Sequence, residues 1–249
     1  MTDTLLLVGR EYTRTAARQH AERLRQRAIA DSVAVATYTD DPADLEIETP
    51  SADGIERYSG DDTYVVPIAS APDHDTTRAL PGVLPTAHHC EPVGTSPAIV
   101  RGLTARAREV IPPAPDVSLA LVAFGDASGT SGSGSRATTE AHAARLRETT
   151  AYGEITTAYL LENPAVECLR YNLSSERAVV VPFFITACAE TEHAIPDKLE
   201  LDRGGLDYAA PLGTHETVTD AIEAEFLKAR TLGSGTAEVR PIATDGRGR

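Results

Sequence analysis

Residues 179–196 read VVVPFFITACAETEHAIP, and residues 65–81 read VVPIASAPDHDTTRALP. Both begin as a β-branched run that ends in proline, and in both a second proline follows fourteen residues later, so Pro67 and Pro81 match Pro182 and Pro196. A run of this kind suits a strand, and a proline, having no N–H to offer a ladder, closes it. Between each pair of prolines lie the densest groups of potential metal ligands in the chain: His74 and Asp75 in one copy, Glu190, Glu192 and His193 in the other. One half-fold is used twice.

The flanking segments repeat in the same order. Leu5–Val8 is a continuous apolar run of the sort that forms a strand covered on both faces, and Gly9 ends it. Ala16, Ala17, His20, Leu24 and Ala28 then recur at helical spacing, predicting a helix from Thr13 to about Ile29, and Val33–Tyr38 alternates as a second strand. The acidic stretch 40–62 reads as loop with a short helix, and a Ser-Pro start at Ser96 opens a helix to Val110. In the second half Leu119–Phe124 matches Leu5–Arg10, a helix from about Thr138 to Thr149 matches the first helix, and Ile155–Tyr159 matches the second strand. Pro-Val-Gly-Thr at 92–95 returns as Pro-Leu-Gly-Thr at 211–214. Pro112, Pro113 and Pro115 make a stiff connector, dividing the chain into 1–111, a link at 112–116, 117–232 and a tail at 233–249 read as a short strand and frayed end. Strands alternating with helices predict an α/β fold, built as two similar lobes, each a parallel sheet flanked by helices.

Across 249 residues, 37 acidic side chains face 23 basic ones, only two of them lysine, for a net charge of −14. Such a balance resembles the proteins of extreme halophiles and argues against nucleic acid, whose phosphates require clustered Lys and Arg. Three cysteines without CxxC spacing fit a reducing compartment and are expected to pack as small apolar groups. No apolar run approaches the roughly 18 residues of a membrane span, and no signal-peptide pattern opens the chain, so a cytoplasmic protein is expected.

The order strand-Gly, a strand ending in Pro-Phe-Phe, a ligand position eight residues beyond the proline, Ile-Pro at fourteen and Pro-Leu-Gly before the last helix resembles the class II chelatases of the CbiX/SirB type. The resemblance covers both halves and is strongest from Ala158 to Ile222, where Tyr159–Pro164 follows the second strand. It implies two lobes facing a cleft and insertion of a divalent metal, cobalt or iron, into sirohydrochlorin for cobalamin or sirohaem synthesis, with the metal as substrate and no organic cofactor. The family's metal-binding histidines fall, in this sequence, on Arg10 and Asp75 in the first half and on Phe124 and Glu190 in the second.

The residues themselves offer a substitute set. His74, Asp75, Glu190 and His193 follow the carboxyl ends of predicted parallel strands, where open α/β sheets hold ligands. Imidazole with carboxylate suits divalent cobalt, nickel or iron, so these four are the candidate metal ligands, with Glu190, His193 and His74 also candidates to take the two pyrrole protons displaced by the metal. Arg10 and Arg14, in a local stretch of six arginines against two glutamates, are candidates for the carboxylates of a sirohydrochlorin-like tetrapyrrole, as is Arg18. His88 and His89 read as solvated loop, His215 as a helix cap or exposed residue, and the glycine-rich 125–135 as a flexible insertion without the lysine of a phosphate loop. A homo-oligomer is compatible with all of this. Two rival readings keep parts of it: a protein of the same fold that binds a tetrapyrrole or metal, or partners an active chelatase, without inserting the metal, and a binder of small molecules unrelated to tetrapyrroles.

Overall fold

The computed structural model describes residues 3–48, 58, 60, 62–125 and 134–234. In the first half, β1 (Thr4–Arg10), α1 (Arg14–Arg27), β2 (Ser32–Tyr38), β3 (Glu46–Glu48), β4 (Thr63–Pro67), α2 (Leu80–Val83), β5 (His88–His89) and α3 (Ile99–Val110) follow in order. The second half continues with β6 (Val117–Ala123), α4 (Gly134–Thr149), β7 (Glu154–Tyr159), α5 (Leu169–Asn172), β8 (Arg177–Pro182), α6 (Ile195–Leu199), β9 (Leu206–Tyr208) and α7 (Glu216–Ser234). The sheets run β3-β2-β1-β4-β5 and β7-β6-β8-β9. Every pairing is parallel except that of β2 with β3.

The repeat is exact in register. Val8 faces Pro67 and Val122 faces Pro182, and just beyond each proline the Ile68 and Phe183 N–H groups donate to the Val8 and Val122 carbonyls, both at 2.7 Å. The α/β class and the two matched parallel sheets are as the sequence predicts. Three elements depart from it. β3 adds an antiparallel edge inside the expected loop; His88 and His89 form an edge strand on β4 rather than a solvated loop, His88 stacking on Tyr64 at 4.9 Å; and β9 extends the second sheet. The short strand expected in the tail, and most of the 125–135 insertion, lie outside the described residues.

Burial explains the apolar runs. Side chains alternate across a strand, so Leu5 and Leu7 enter a core shared by both halves, while Leu6 and Val8 enter a separate one with Leu80 and Leu84. In β6, Leu119 and Leu121 face the shared core and Ala120 and Val122 the far side. Between the two sheets lie α1, α3, α4 and α7, each giving a stripe to the shared core. The last helix of each half is exchanged: α3 packs on β8 and α7 on β4. As units of sequence repetition we propose residues 1–111 and 117–232, although the packing interleaves them.

Two buried histidines stitch the halves. His20 on α1 bonds the Gly213 carbonyl at 3.1 Å and the Thr219 hydroxyl at 2.9 Å, and His142 on α4 bonds the Gly94 carbonyl at 2.7 Å. Burial lowers both pKa values, that of His20 to about 4. Each thus reaches the matched Pro-x-Gly-Thr loop of the opposite half. Gly94 is required there, since a Cβ would sit 2.0 Å from the Ser70 carbonyl oxygen.

Of the three cysteines, none in a disulfide, Cys90 and Cys188 are buried as expected, but Cys168 is exposed. No helix of the described residues is long and apolar enough to cross a membrane.

Candidate functional site

Both strand orders, once the β3 edge is set aside, reverse beside the first strand of each half, and ligands of open α/β sheets bind at such reversals, beyond the carboxyl ends of the strands. Here the two reversals open into one cleft of about 950 Å³, large enough for a sizeable organic ligand. The first half lines it with Gly9, Arg10, Tyr12, Tyr38 and residues 67–74 among others, the second with Phe124, Leu161, Phe184–Thr186 and Glu190.

Local chemistry fixes the walls. Thr13 donates to the Arg10 carbonyl at 2.7 Å, turning the chain from β1 into α1 over a Gly9 whose Cβ would collide with that hydroxyl. After β4, the Asp73 N–H donates to the Thr76 hydroxyl at 2.9 Å and the Thr76 N–H to the Asp73 carboxylate at 2.8 Å. After β8 the Cys188 N–H donates to Thr191 in the same way, at 2.9 Å. Each loop then enters a wide π turn, Asp75–Ala79 or Glu190–Ala194, that begins on a candidate ligand and runs into α2 or α6. The repeat's second prolines give the reason. Pro81 and Pro196 offer no N–H to the carbonyls four residues back, and their rings crowd those carbonyls, opening the preceding turn.

The expected ligands are only partly assembled. His74 and Glu190 line the cleft from opposite halves. Asp75 is not among the lining residues: Arg10 Nη2 lies 2.6 Å from its Oδ2, and the Tyr38 hydroxyl donates to the same oxygen at 3.3 Å. Burial, then the Asp75 carboxylate, pushes the Tyr38 phenol up, so it remains a donor. Two positions expected to serve metal and substrate are therefore spent on each other, and Asp75 is closed to a cation while that pair holds. His74, at the exposed rim, keeps its Nδ1 3.9 Å from Asp75 Oδ1. His193 and Glu192 are exposed and do not line the cleft. Among the described residues no group of three or more His, Cys, Asp or Glu side chains is placed to hold a metal ion.

Arg14 also lies off the cleft, bonded to Thr37 at 2.7 Å and ion-paired with Glu11, Glu46 and Glu48. Arg18 forks onto Glu48 at 2.6 and 2.9 Å. Arg14 and Arg18 are thus met by acids on β3, an element the sequence did not show, and Arg27 by Glu216, Asp220 and Glu223 of α7. His215 caps α7 by accepting from the Thr217 N–H at 3.3 Å.

Three residues that the sequence did not single out as substrate contacts shape the cleft. Tyr12, Phe124 and Leu161 are 53%, 43% and 46% exposed, unusual for large apolar side chains, and all three line it. Their signal was present: each stands just past the end of a first or second strand of a half, where a core residue has no reason to be. With Phe184 and Ile185 they give the cleft apolar surface, beside the polar groups Arg10, Asp73, His74 and Thr77.

Comparison with known proteins agrees with this architecture. A family model described as CbiX matches residues 127–229. A curated protein of Halobacterium salinarum, named a probable sirohydrochlorin cobaltochelatase, is 23% identical over 209 residues, covering 72% of this chain and 68% of its own. SirB from Bacillus subtilis, solved with Fe3+, superposes with a TM-score of 0.74 at 13% identity over 95% of this chain and 98% of that one. A multi-domain protein of Deinococcus radiodurans with similarity to chelatases and two additional domains gives a TM-score of 0.68 at 21% identity; the match covers 90% of this chain but 54% of that protein. In sequence the second half thus matches the CbiX family model, and in fold the chain resembles the SirB/CbiX chelatase structures throughout.

Proposed function

We propose that this protein inserts a divalent metal, cobalt or iron, into sirohydrochlorin. The observation that supports this most directly is the cleft shared by both sheet reversals, lined by exposed apolar side chains such as Phe124 and Leu161 together with charged and polar groups such as Arg10, Arg78 and Glu190. A flat macrocycle edged with carboxylates asks for both surfaces. The halophile relative's name supports sirohydrochlorin and cobalt, and the Bacillus relative's bound ion supports iron.

Insertion replaces two pyrrole protons by one dication, so the site must offer a base near the ring. Of the two carboxylates on the cleft surface, Asp73 is taken up by the Thr76 N–H and hydroxyl, while Glu190 is paired with no arginine or lysine among the described residues. It can draw the dication toward the ring and take a displaced proton, with the exposed His74 passing metal or protons at the rim. Arg10 holds Asp75 with Nη2 and has further N–H donors to offer a substrate carboxylate. In this reading metal handling rests mainly on the second half.

A second reading is favoured by the Arg10–Asp75 pair and the lack of a three-ligand group: a cleft that binds the macrocycle without inserting the metal. One experiment separates the two. The absorption spectrum of sirohydrochlorin is followed with cobalt or ferrous iron in molar salt, with the protein and with Glu190→Gln. Insertion above the uncatalysed rate, reduced at least tenfold in the variant while the macrocycle still binds, supports the chelatase. A shifted spectrum with insertion at the background rate supports the second reading, and no spectral change refutes both.

A further inference from the structure

Arginines in this acidic chain are nearly all occupied. Among the described residues, the side chains of Arg78, Arg108 and Arg145 alone make no hydrogen bond or ion pair, and of these Arg78 alone lines the cleft. It projects from the π turn Asp75–Ala79 and is exposed. Acids nearby do not claim it: the Asp73 carboxylate accepts the Thr76 N–H at 2.8 Å and the Thr76 hydroxyl at 2.8 Å, and Asp75 is held by Arg10 and Tyr38. In a protein of net charge −14, where most guanidiniums among the described residues find a carboxylate or a carbonyl, an unpartnered one on the wall of the cleft stands out.

We infer that Arg78 is a specificity-determining residue that receives a peripheral carboxylate of the bound macrocycle. This rests on the macrocycle reading above and adds the group that orients it. A guanidinium takes a carboxylate through two parallel N–H donors, and here that contact would come from the first half while the ring lies against Phe124 and Leu161. Arg78 would thus set which edge of the ring points to the first half, and so which face meets Glu190. The local pairing favours an anion: Arg10 is taken by Asp75 and the Asp73 carboxylate by Thr76, so Arg78 is the guanidinium on this edge with all its donors left to offer.

The test is equilibrium binding of metal-free sirohydrochlorin and of its methyl ester, read by absorption, to the wild type, Arg78→Gln and Arg78→Lys. The wild type should prefer the acid to the ester. Arg78→Gln should weaken binding of the acid about tenfold, the low end for a hydrogen bond to a charged group, and leave the ester unaffected, abolishing most of the preference. Arg78→Lys should restore part of it. The exposed position makes loss of folding an unsuitable explanation, and retained ester binding controls for it. A wild type that binds neither compound overturns the macrocycle reading and this inference with it. A wild type that binds both, with the acid-to-ester ratio unchanged in Arg78→Gln, overturns this inference alone.

Discussion

Replacing His20 with glutamine should change how the protein responds to acid. The imidazole is fully buried between the halves, and desolvation lowers its pKa to about 4 from 6.5. Because the folded value is depressed, the folded protein refuses a proton that the unfolded chain accepts. Stability from this residue is complete above pH 6.5 and falls as the pH drops from 6.5 toward 4, by up to about 1.4 kcal/mol per unit. At pH 4.5 the accumulated loss is about 2.5 kcal/mol by the same linkage. Glutamine keeps an amide N–H for the Gly213 carbonyl but does not titrate, so it costs about 1 kcal/mol near neutrality for an imperfect hydrogen bond and is spared the acid loss. Urea unfolding in molar salt, followed by circular dichroism from pH 7.5 to 4.5, should show the two stability curves cross, with the variant ahead by roughly 1.5 kcal/mol at the acid end. Surface carboxylates titrate in both proteins and cancel in the difference. Parallel curves across the whole range would refute the claim that His20 is held neutral at this contact.

Three further outcomes follow from the geometry. Gly94→Ala drives a methyl group to 2.0 Å from the Ser70 carbonyl oxygen and disturbs the loop that His142 holds; a loss of about 2–4 kcal/mol in urea unfolding is expected. Arg10→Ala leaves Asp75, with its side chain 17% exposed, bonded only to Tyr38. With allowance for the partly exposed arginine the cost is about 1 kcal/mol, and cobalt titration should show tighter binding than the wild type because the carboxylate is released. Phe124→Ala removes an exposed cleft side chain without touching the core, so thermal unfolding should be unchanged while macrocycle affinity falls about tenfold, the equivalent of about 1.4 kcal/mol of lost apolar contact.

The fold was legible because its signals are local. Leu5–Val8 and Leu119–Ala123 must be continuous apolar runs since both faces of their strands are covered, and the paired prolines mark the strand ends and, fourteen residues on, the turn that carries a candidate ligand. The cleft was legible as far as His74 and Glu190 flank it. The fate of Asp75 was not, because it depends on a partner 65 residues away that lies beside it only once β1 and β4 have paired. Arg14 misled for a similar reason. Its acidic partners Glu46 and Glu48 sit on β3, a strand of three residues whose alternating Glu-Ile-Glu pattern is too short to separate from loop. His20 and His142 read as ordinary helix positions, and the carbonyls that define them belong to the other half of the chain.

The crossed contacts bear on ancestry. α1 of the first half reaches the Gly213 loop and α4 of the second reaches the Gly94 loop; α3 covers β8 while α7 covers β4. Contacts that answer each other in this way are those of an isologous pair, in which one patch meets its own copy across a two-fold axis. The architecture is that of a symmetric dimer of short chains, with residues 112–116 joining the end of one copy to the start of the next. Joined in one chain, the two halves need not be identical, and at the cleft they are not: one carries an arginine locked to an aspartate, the other a phenylalanine and a glutamate with no arginine or lysine partner among the described residues.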